Sequence, residues 1–172
     1  MTIYALGDVE PTIHPDAYVH PDAVVIGNVT IGAGSTVWPC AVLRGDYGVI
    51  TVGERTSIQD GCVIHATSDA PTFVGSDCVI GHNVHLEGCT IHDRVLVGSG
   101  SIAMHGVVVE SGAVVGAGAV LTDNTHVPTG ALALGVPAKV RLNAVTRDFI
   151  SDGAERYARN GIRYRNELRV VG

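Results

Sequence analysis

The sequence predicts an all-β solenoid, a parallel β-helix followed by a C-terminal α-helix, on three observations. A six-residue apolar period runs through most of the chain. Gly is abundant, at 22 of 172 residues, while aromatic residues make up only 5%. The period stops at a Pro- and Gly-containing segment, and a stripe at helical spacing follows it.

Residues 1–12 read as a lead-in containing Tyr4 and Pro11. The period then opens at Ile13 and continues through Val19, Val25, Ile31, Val37 and Leu43. After a slip it resumes at Val52, Ile58 and Ile64. The irregular piece Ser68-Asp-Ala-Pro-Thr72 breaks it. It returns from Val74 through Ile80, Leu86 and Ile91 and ends near Val127. A branched aliphatic opens nearly every unit, and a small residue recurs four places later. One such unit cannot bury its apolar side alone, so units must stack. Three short strands per turn give about 18 residues per coil, hence about six or seven coils over residues 13–130. The lead aliphatic is expected to point inward. The small residue is expected at the crowded corner, where Gly can take a positive φ.

Gly135-Val136-Pro137-Ala138-Lys139 closes the solenoid, so residues 1–140 are read as the β-helix domain and 141–172 as a helical tail. Thr146 is placed to cap a helix. Ile150, Ala154, Tyr157, Gly161, Tyr164 and Leu168 then recur at three- and four-residue spacing, which predicts an amphipathic helix packed along one solenoid face. Gly153 and Gly161 each oppose that helix by about 1 kcal/mol relative to Ala.

The totals exclude several classes. With 46% hydrophobic and 16% charged residues, the chain can build one sizeable core and is not a disordered segment. No apolar run is long enough to span a bilayer. The N-terminal residues show no basic-then-apolar leader, and a cytoplasmic location is expected. Cys40, Cys62, Cys78 and Cys89 form no CxxC pair; the last three sit at small-residue slots and read as reduced buried thiols. Residues 1–140 hold four basic residues against thirteen acids, a balance of −9. Residues 141–172 hold seven Arg against four acids, a balance of +3. The acidic body argues against nucleic acid as a partner.

The chemistry concentrates between Arg44 and Gly100. Ile80-Gly-His82-Asn-Val-His85-Leu-Glu87-Gly-Cys89 carries three candidate ligands within six residues, and His65 ends Ile58-Gln59-Asp60-Gly-Cys-Val-Ile-His65. Imidazoles and a carboxylate on a rigid frame suit a borderline divalent ion: Zn²⁺, or Fe²⁺ or Co²⁺. His14, His20, His92 and His126 occupy ordinary polar slots of the repeat.

Several of these stretches together resemble the γ-class carbonic anhydrase-like family. They are Ala41-Val-Leu-Arg44-Gly-Asp46, Ile58-Gln59-Asp60-Gly-Cys-Val-Ile-His65, Ile80-Gly-His82-Asn83 and Gly88-Cys-Thr-Ile91-His-Asp-Arg94-Val-Leu-Val-Gly98. The resemblance implies a left-handed coil sense and a homotrimer with a metal between subunits. It implies hydration of CO₂ to bicarbonate by hydroxide held on that metal. His65 matches a ligand from one subunit and His82 the ligand lent by its neighbour. The family's third histidine falls at Glu87, with His85 and His105 as alternatives for that place. Arg44 and Asp46 match an intersubunit ion pair and substrate-side network. Gln59 matches the residue that holds the metal's water, and Asp60 matches its support. An anionic Glu87 ligand weakens the Lewis acidity of the ion and so slows hydration near neutral pH. The competing readings are a metal-dependent hydrolase such as a thioesterase, a hexapeptide acyltransferase, and a non-catalytic trimeric scaffold.

Overall fold

Leu43, Ile64, Leu86, Ala103 and Leu121 stack in one inward column, each in parallel register with the next. All five are 0–1% exposed. Equivalent columns run through Ile31, Val52, Val74, Ile91, Val109 and Val127, and through Val37, Ile58, Ile80, Val97 and Val115. Three columns of branched aliphatics make a three-faced tube. The computed structural model describes residues 2–145 and 148–172, and it is a left-handed parallel β-helix of about seven coils with one C-terminal helix.

The first face carries Val63–His65, His85–Glu87, Ile102–Ala103 and Val120–Leu121. The second carries Thr72–Val74, Thr90–Ile91, Val108–Val109 and His126–Val127. The longer strands Val24–Ile31 and Val42–Val52 turn the corner and belong to both. The third face runs from Tyr18–Val19 to Leu132–Leu134, where Lys139–Arg141 adds antiparallel to the last strand.

The small residue and the positive φ turn out to be two adjacent positions. The small residue, four places after the lead, points inward: Cys62, Cys78, Val95 and Ala113 are all 0% exposed. The positive φ falls one place earlier, where the side chain faces out. Asn, Asp and even Arg therefore serve there, as at Asn83 (φ 57°), Asp77 (φ 58°) and Arg55 (φ 51°). Arg55 and Asp77 stack on successive coils and form a two-point ion pair of 2.7 and 2.9 Å.

The repeat departs from its period at one corner. On the third face successive leads Val37, Ile58, Ile80, Val97 and Val115 lie 21, 22, 17 and 18 residues apart. Every change arises between the first and second faces. The regular spacing from first-face lead to second-face lead is six residues, as in Val25 to Ile31 and Ala103 to Val109. It is ten from Ile3 to Ile13, nine from Leu43 to Val52, ten from Ile64 to Val74 and five from Leu86 to Ile91.

Helix Asp148–Glu167 crosses the third face, touching the strands that begin at Tyr18, Thr36, Ser57 and Val79. Thr146 lies outside the described residues. Ile150 and Ala154 are 2% and 1% exposed, and Leu168 falls just beyond the helix end. Of the two glycines that oppose helix formation, Gly161 serves its docking. A Cβ at Gly161 would lie 2.6 Å from Thr36 Cγ2 and 3.1 Å from Tyr18 Cβ. Trp38 packs edge-on against Tyr157 and Tyr164, at 6.2 and 5.0 Å between centroids, and donates to Ser57 Oγ at 2.9 Å.

Three predictions follow from this packing. Burial pushes the Cys62 thiol up to about 11 and those of Cys78 and Cys89 to about 12, whereas Cys40 is exposed. A thiol-reactive chromophore at pH 8 should therefore modify one Cys in the native protein and four in denaturant. Gly161→Ala should lower stability, because overpacking of about 1–3 kcal/mol outweighs the gain of about 1 kcal/mol in helix propensity. At Gly153 the nearest side-chain atom stands 3.3 Å from the added Cβ, so Gly153→Ala should not. Thermal melts of the two variants decide it. Finally, Glu110 ties neighbouring coils by accepting hydrogen bonds from Thr129 N–H at 2.9 Å, Thr129 Oγ1 at 3.0 Å and His126 Nε2 at 2.8 Å. These, the Thr129 amide first, lower its pKa from 4.5. A depressed carboxylate contributes stability above its unfolded pKa and loses it as pH falls through the folded value. The stability difference between wild type and Glu110→Gln should thus be full at pH 6 and close below about pH 4.5, as read by urea unfolding.

Candidate metal site

The first face presents two outward rows, because side chains on a strand alternate. One row stacks Arg44, His65 and Glu87 on successive coils, with Arg44 paired to His65 and His65 to Glu87. The other row is Val24, Val42, Val63, His85, Ile102 and Val120. Its five aliphatic residues make the outside of this face apolar, with Val63 42% exposed.

Around the first row the polar groups form one connected network. Asp46 follows Arg44 on the same strand and forms an ion pair with its guanidinium. His65 sits between two carboxylates, with Nε2 3.0 Å from Asp46 Oδ1 and Nδ1 3.2 Å from Glu87 Oε1. His85, two residues before Glu87 on the same side of the strand, places Nε2 3.2 Å from Glu87 Oε2. His105 Nε2 lies 3.6 Å from Glu87 Oε1. Three imidazoles therefore surround one carboxylate. Burial opposes ionisation of both acids, but the contacts outweigh it. His65 and Arg44 hold Asp46 below its ordinary pKa, and His65 and His85 do the same for Glu87. Both acids are thus carboxylates at neutral pH, able to bind a cation.

The coil register sets His105 off the Glu87 row. A uniform 18-residue coil would set position 105 directly above position 87. Here Leu86 pairs with Ala103, 17 residues on, so Met104 stacks above Glu87 and His105 reaches it from the corner.

His82 lies at the opposite edge of the first face, on the corner with the third face. Its Nδ1 is 3.0 Å from Asp60 Oδ2 on the coil below, and its side chain is 51% exposed. A carboxylate beside one ring nitrogen is a partner that metal-ligating histidines commonly have. Gln59 is next to Asp60 and 4% exposed; it lines small clefts beside the helix together with His82 on one side and Asp60 on the other. The structure thus brings Arg44, Asp46, His65, His85, Glu87 and His105 together on one edge and Gln59, Asp60 and His82 on the other. Among the described residues of one chain, no three His, Cys, Asp or Glu side chains converge as a metal-ligand group. The donor types nonetheless fit a divalent ion: an imidazole and a carboxylate 3.2 Å apart on one edge, and a pre-oriented imidazole on the other. The pairing of Asp60 with His82 escaped the sequence reading. Its signal was available, since Asp60 and His82 stand 22 residues apart, as do Ile58 and Ile80 in the lead column.

A profile of the bacterial transferase hexapeptide family (six repeats) matches residues 10–45 and 88–123. The chain is 38% identical over 165 residues to gamma carbonic anhydrase 1, mitochondrial, of Arabidopsis thaliana, covering 91% of this chain and 60% of that protein's length. It is 41% identical over 143 residues to the carnitine operon protein CaiE of Escherichia coli, covering 83% of this chain and 73% of that one. A solved hexapeptide transferase family protein from Anaplasma phagocytophilum superposes with a TM-score of 0.90 at 34% identity, covering 95% and 98% of the two chains. With its coil register, its Arg44–Asp46–His65 network and this identity along most of its length, the chain belongs to the γ-class carbonic anhydrase-like family of hexapeptide-repeat proteins.

Proposed function

We propose that the chain works as a metal-dependent, γ-carbonic anhydrase-like enzyme that hydrates CO₂ to bicarbonate at the interface of a homotrimer. The observation that carries this reading is the division of the ligands between two edges of one face. His65 and Glu87 stand together, while His82 projects from the far edge with Nδ1 against Asp60. The set closes only if a second copy brings its His82 edge against the His65 edge. The apolar outer row of the first face supports that contact, since a solvent-facing stripe of Val24, Val42, Val63, Ile102 and Val120 gains by burial.

In this reading His65, Glu87 and the neighbouring copy's His82 hold the ion, Zn²⁺ by donor type, with Fe²⁺ or Co²⁺ also compatible. A bound ion supplies a Lewis acid that acidifies water at the site. Asp46 fixes the His65 ring from one side while Arg44 neutralises part of its charge. Asp60 stands against Nδ1 of His82 and restricts how that ring can turn. Gln59, buried at the same edge, orients water or substrate from the neighbouring side. His85 holds the second oxygen of Glu87 and restricts how that carboxylate can turn. Glu87 makes the ion more electron-rich than a third imidazole would, so hydration is slower near neutral pH than with three histidines. The four free thiols fit a reducing compartment such as the cytoplasm. No described helix is long and apolar enough to cross a membrane.

The test is elemental analysis of chelator-free protein. About one divalent ion per chain is expected in the wild type, with loss in both His82→Ala and Glu87→Ala. His65→Ala and His82→Ala, each metal-poor alone, should regain metal and CO₂ hydration when unfolded together and refolded as mixed oligomers. Metal lost in His82→Ala but retained in Glu87→Ala moves the third ligand to His85 or His105. A metal-loaded wild type that hydrates CO₂ no faster than a His65→Ala/His82→Ala double variant removes the enzyme reading.

A further inference from the structure

The additions to the repeat fall at one corner, and they wall a cleft. Residues inserted between the first and second faces form a bridged turn at Leu6 and Val9, an excursion at Gly45–Val49 and a second bridged turn at Thr67 and Ala70. The second coil has the regular spacing there, from Val25 to Ile31. Its short corner, at Asn28, leaves a notch between its longer neighbours. The notch is a cleft of about 390 Å³, which falls in the range of small-ligand sites.

The cleft has a polar end and an apolar wall. Leu6, Val9, Tyr47, Val49 and Pro71 line it, and four of them are exposed at 49%, 45%, 75% and 41% in that order up to Val49. Asp46 borders it and touches His65. Regular hexapeptide corners carry polar or small residues, so these aliphatic and aromatic groups stand exposed only where the insertions put them. In repeat proteins, insertions collected on one face commonly build the binding face. Carbon dioxide fills no such space.

We infer that this cleft binds a short aliphatic acyl chain, carried by a substrate whose carbonyl end lies toward Asp46 and His65. This goes beyond CO₂ hydration by giving the site a second substrate class, and only the placing of the carbonyl rests on the proposed site. Asn28 and the Thr67 hydroxyl border the same space and can bond an amide, ester or thioester group.

Neutral aliphatic amides test the cleft without relying on the metal. Binding of acetamide, butyramide and hexanamide should be followed by NMR of Leu and Val methyl groups, in zinc-loaded and zinc-free protein. The methyls of Leu6, Val9 and Val49 should shift, and affinity should rise about fourfold per methylene until the chain outgrows the cleft. Tyr47→Ser and Val49→Asn lie on the surface and should flatten that rise. A rise that persists in protein unable to hold zinc keeps the cleft and removes the metal reading. Zinc-loaded protein with no dependence on chain length, or with shifts elsewhere, overturns the cleft. So does Tyr47→Ser changing the oligomer size on a sizing column, because the wall would then be a subunit contact.

Discussion

Parallel stacking of inward aliphatics is the constraint on which the other features depend. Each lead residue must sit above its counterpart on the coil below, since a slip of one residue would turn the buried row outward. With Ile58, Ile64, Ile80 and Leu86 all fully buried, the cost of such a slip is borne by several side chains at once. Changes in coil length are therefore confined to corners, where extra residues leave the tube without disturbing the columns. In this chain they all use the corner between the first and second faces. The site network and the acyl cleft are two products of that single permission.

The same stacking explains why ligands of different coils meet. Arg44, His65 and Glu87 occupy one register row, so their side chains are set at the strand spacing of about 4.8 Å before any side-chain choice is made. Three groups of alternating character at that spacing relieve one another. Arg44 and Asp46 balance charge at one end, and the carboxylates of Asp46 and Glu87 clasp His65 from its two nitrogens. A neutral imidazole has one donor only, so His65 can donate to one of the two flanking carboxylates and not to both.

Much of this was legible in the sequence, and the rest was not for definable reasons. The six-residue period identified the tube, because only an inward column requires a branched aliphatic at every sixth place. The resemblance at Arg44–Asp46, Gln59–His65 and His82 named residues that the fold gathers on two edges of one face. What the period could not convey was where its slips fall in space. The slips after Leu43 and Ile64 and the shortening after Leu86 look alike along the chain, and only the coil geometry stacks them on one corner. The Gly153 and Gly161 positions misled in a related way. Helix propensity counts each glycine as a cost, while the close approach of Gly161 to Thr36 and Tyr18 is a tertiary fact. Trp38, Tyr157 and Tyr164 show the same limit, since their edge-on cluster joins residues more than a hundred positions apart.

The one-residue shortening after Leu86 also reshapes the site. In a regular coil His105 would stack over Glu87 and point outward beside it. The shorter coil gives that place to Met104 and moves His105 onto the corner above Gly88. A Cβ at Gly88 would lie 2.5 Å from His105 Cδ2, so the ring can lean toward Glu87 only because position 88 has no side chain. Gly88 also has φ 64°, a value that glycine adopts without strain. The turn favours glycine at this position, and the approach of the ring requires it. The histidine that an even repeat would stack on Glu87 is kept within 3.6 Å of it by a different route. The corner geometry thus returns an imidazole to Glu87 although Met104 takes the stacked place.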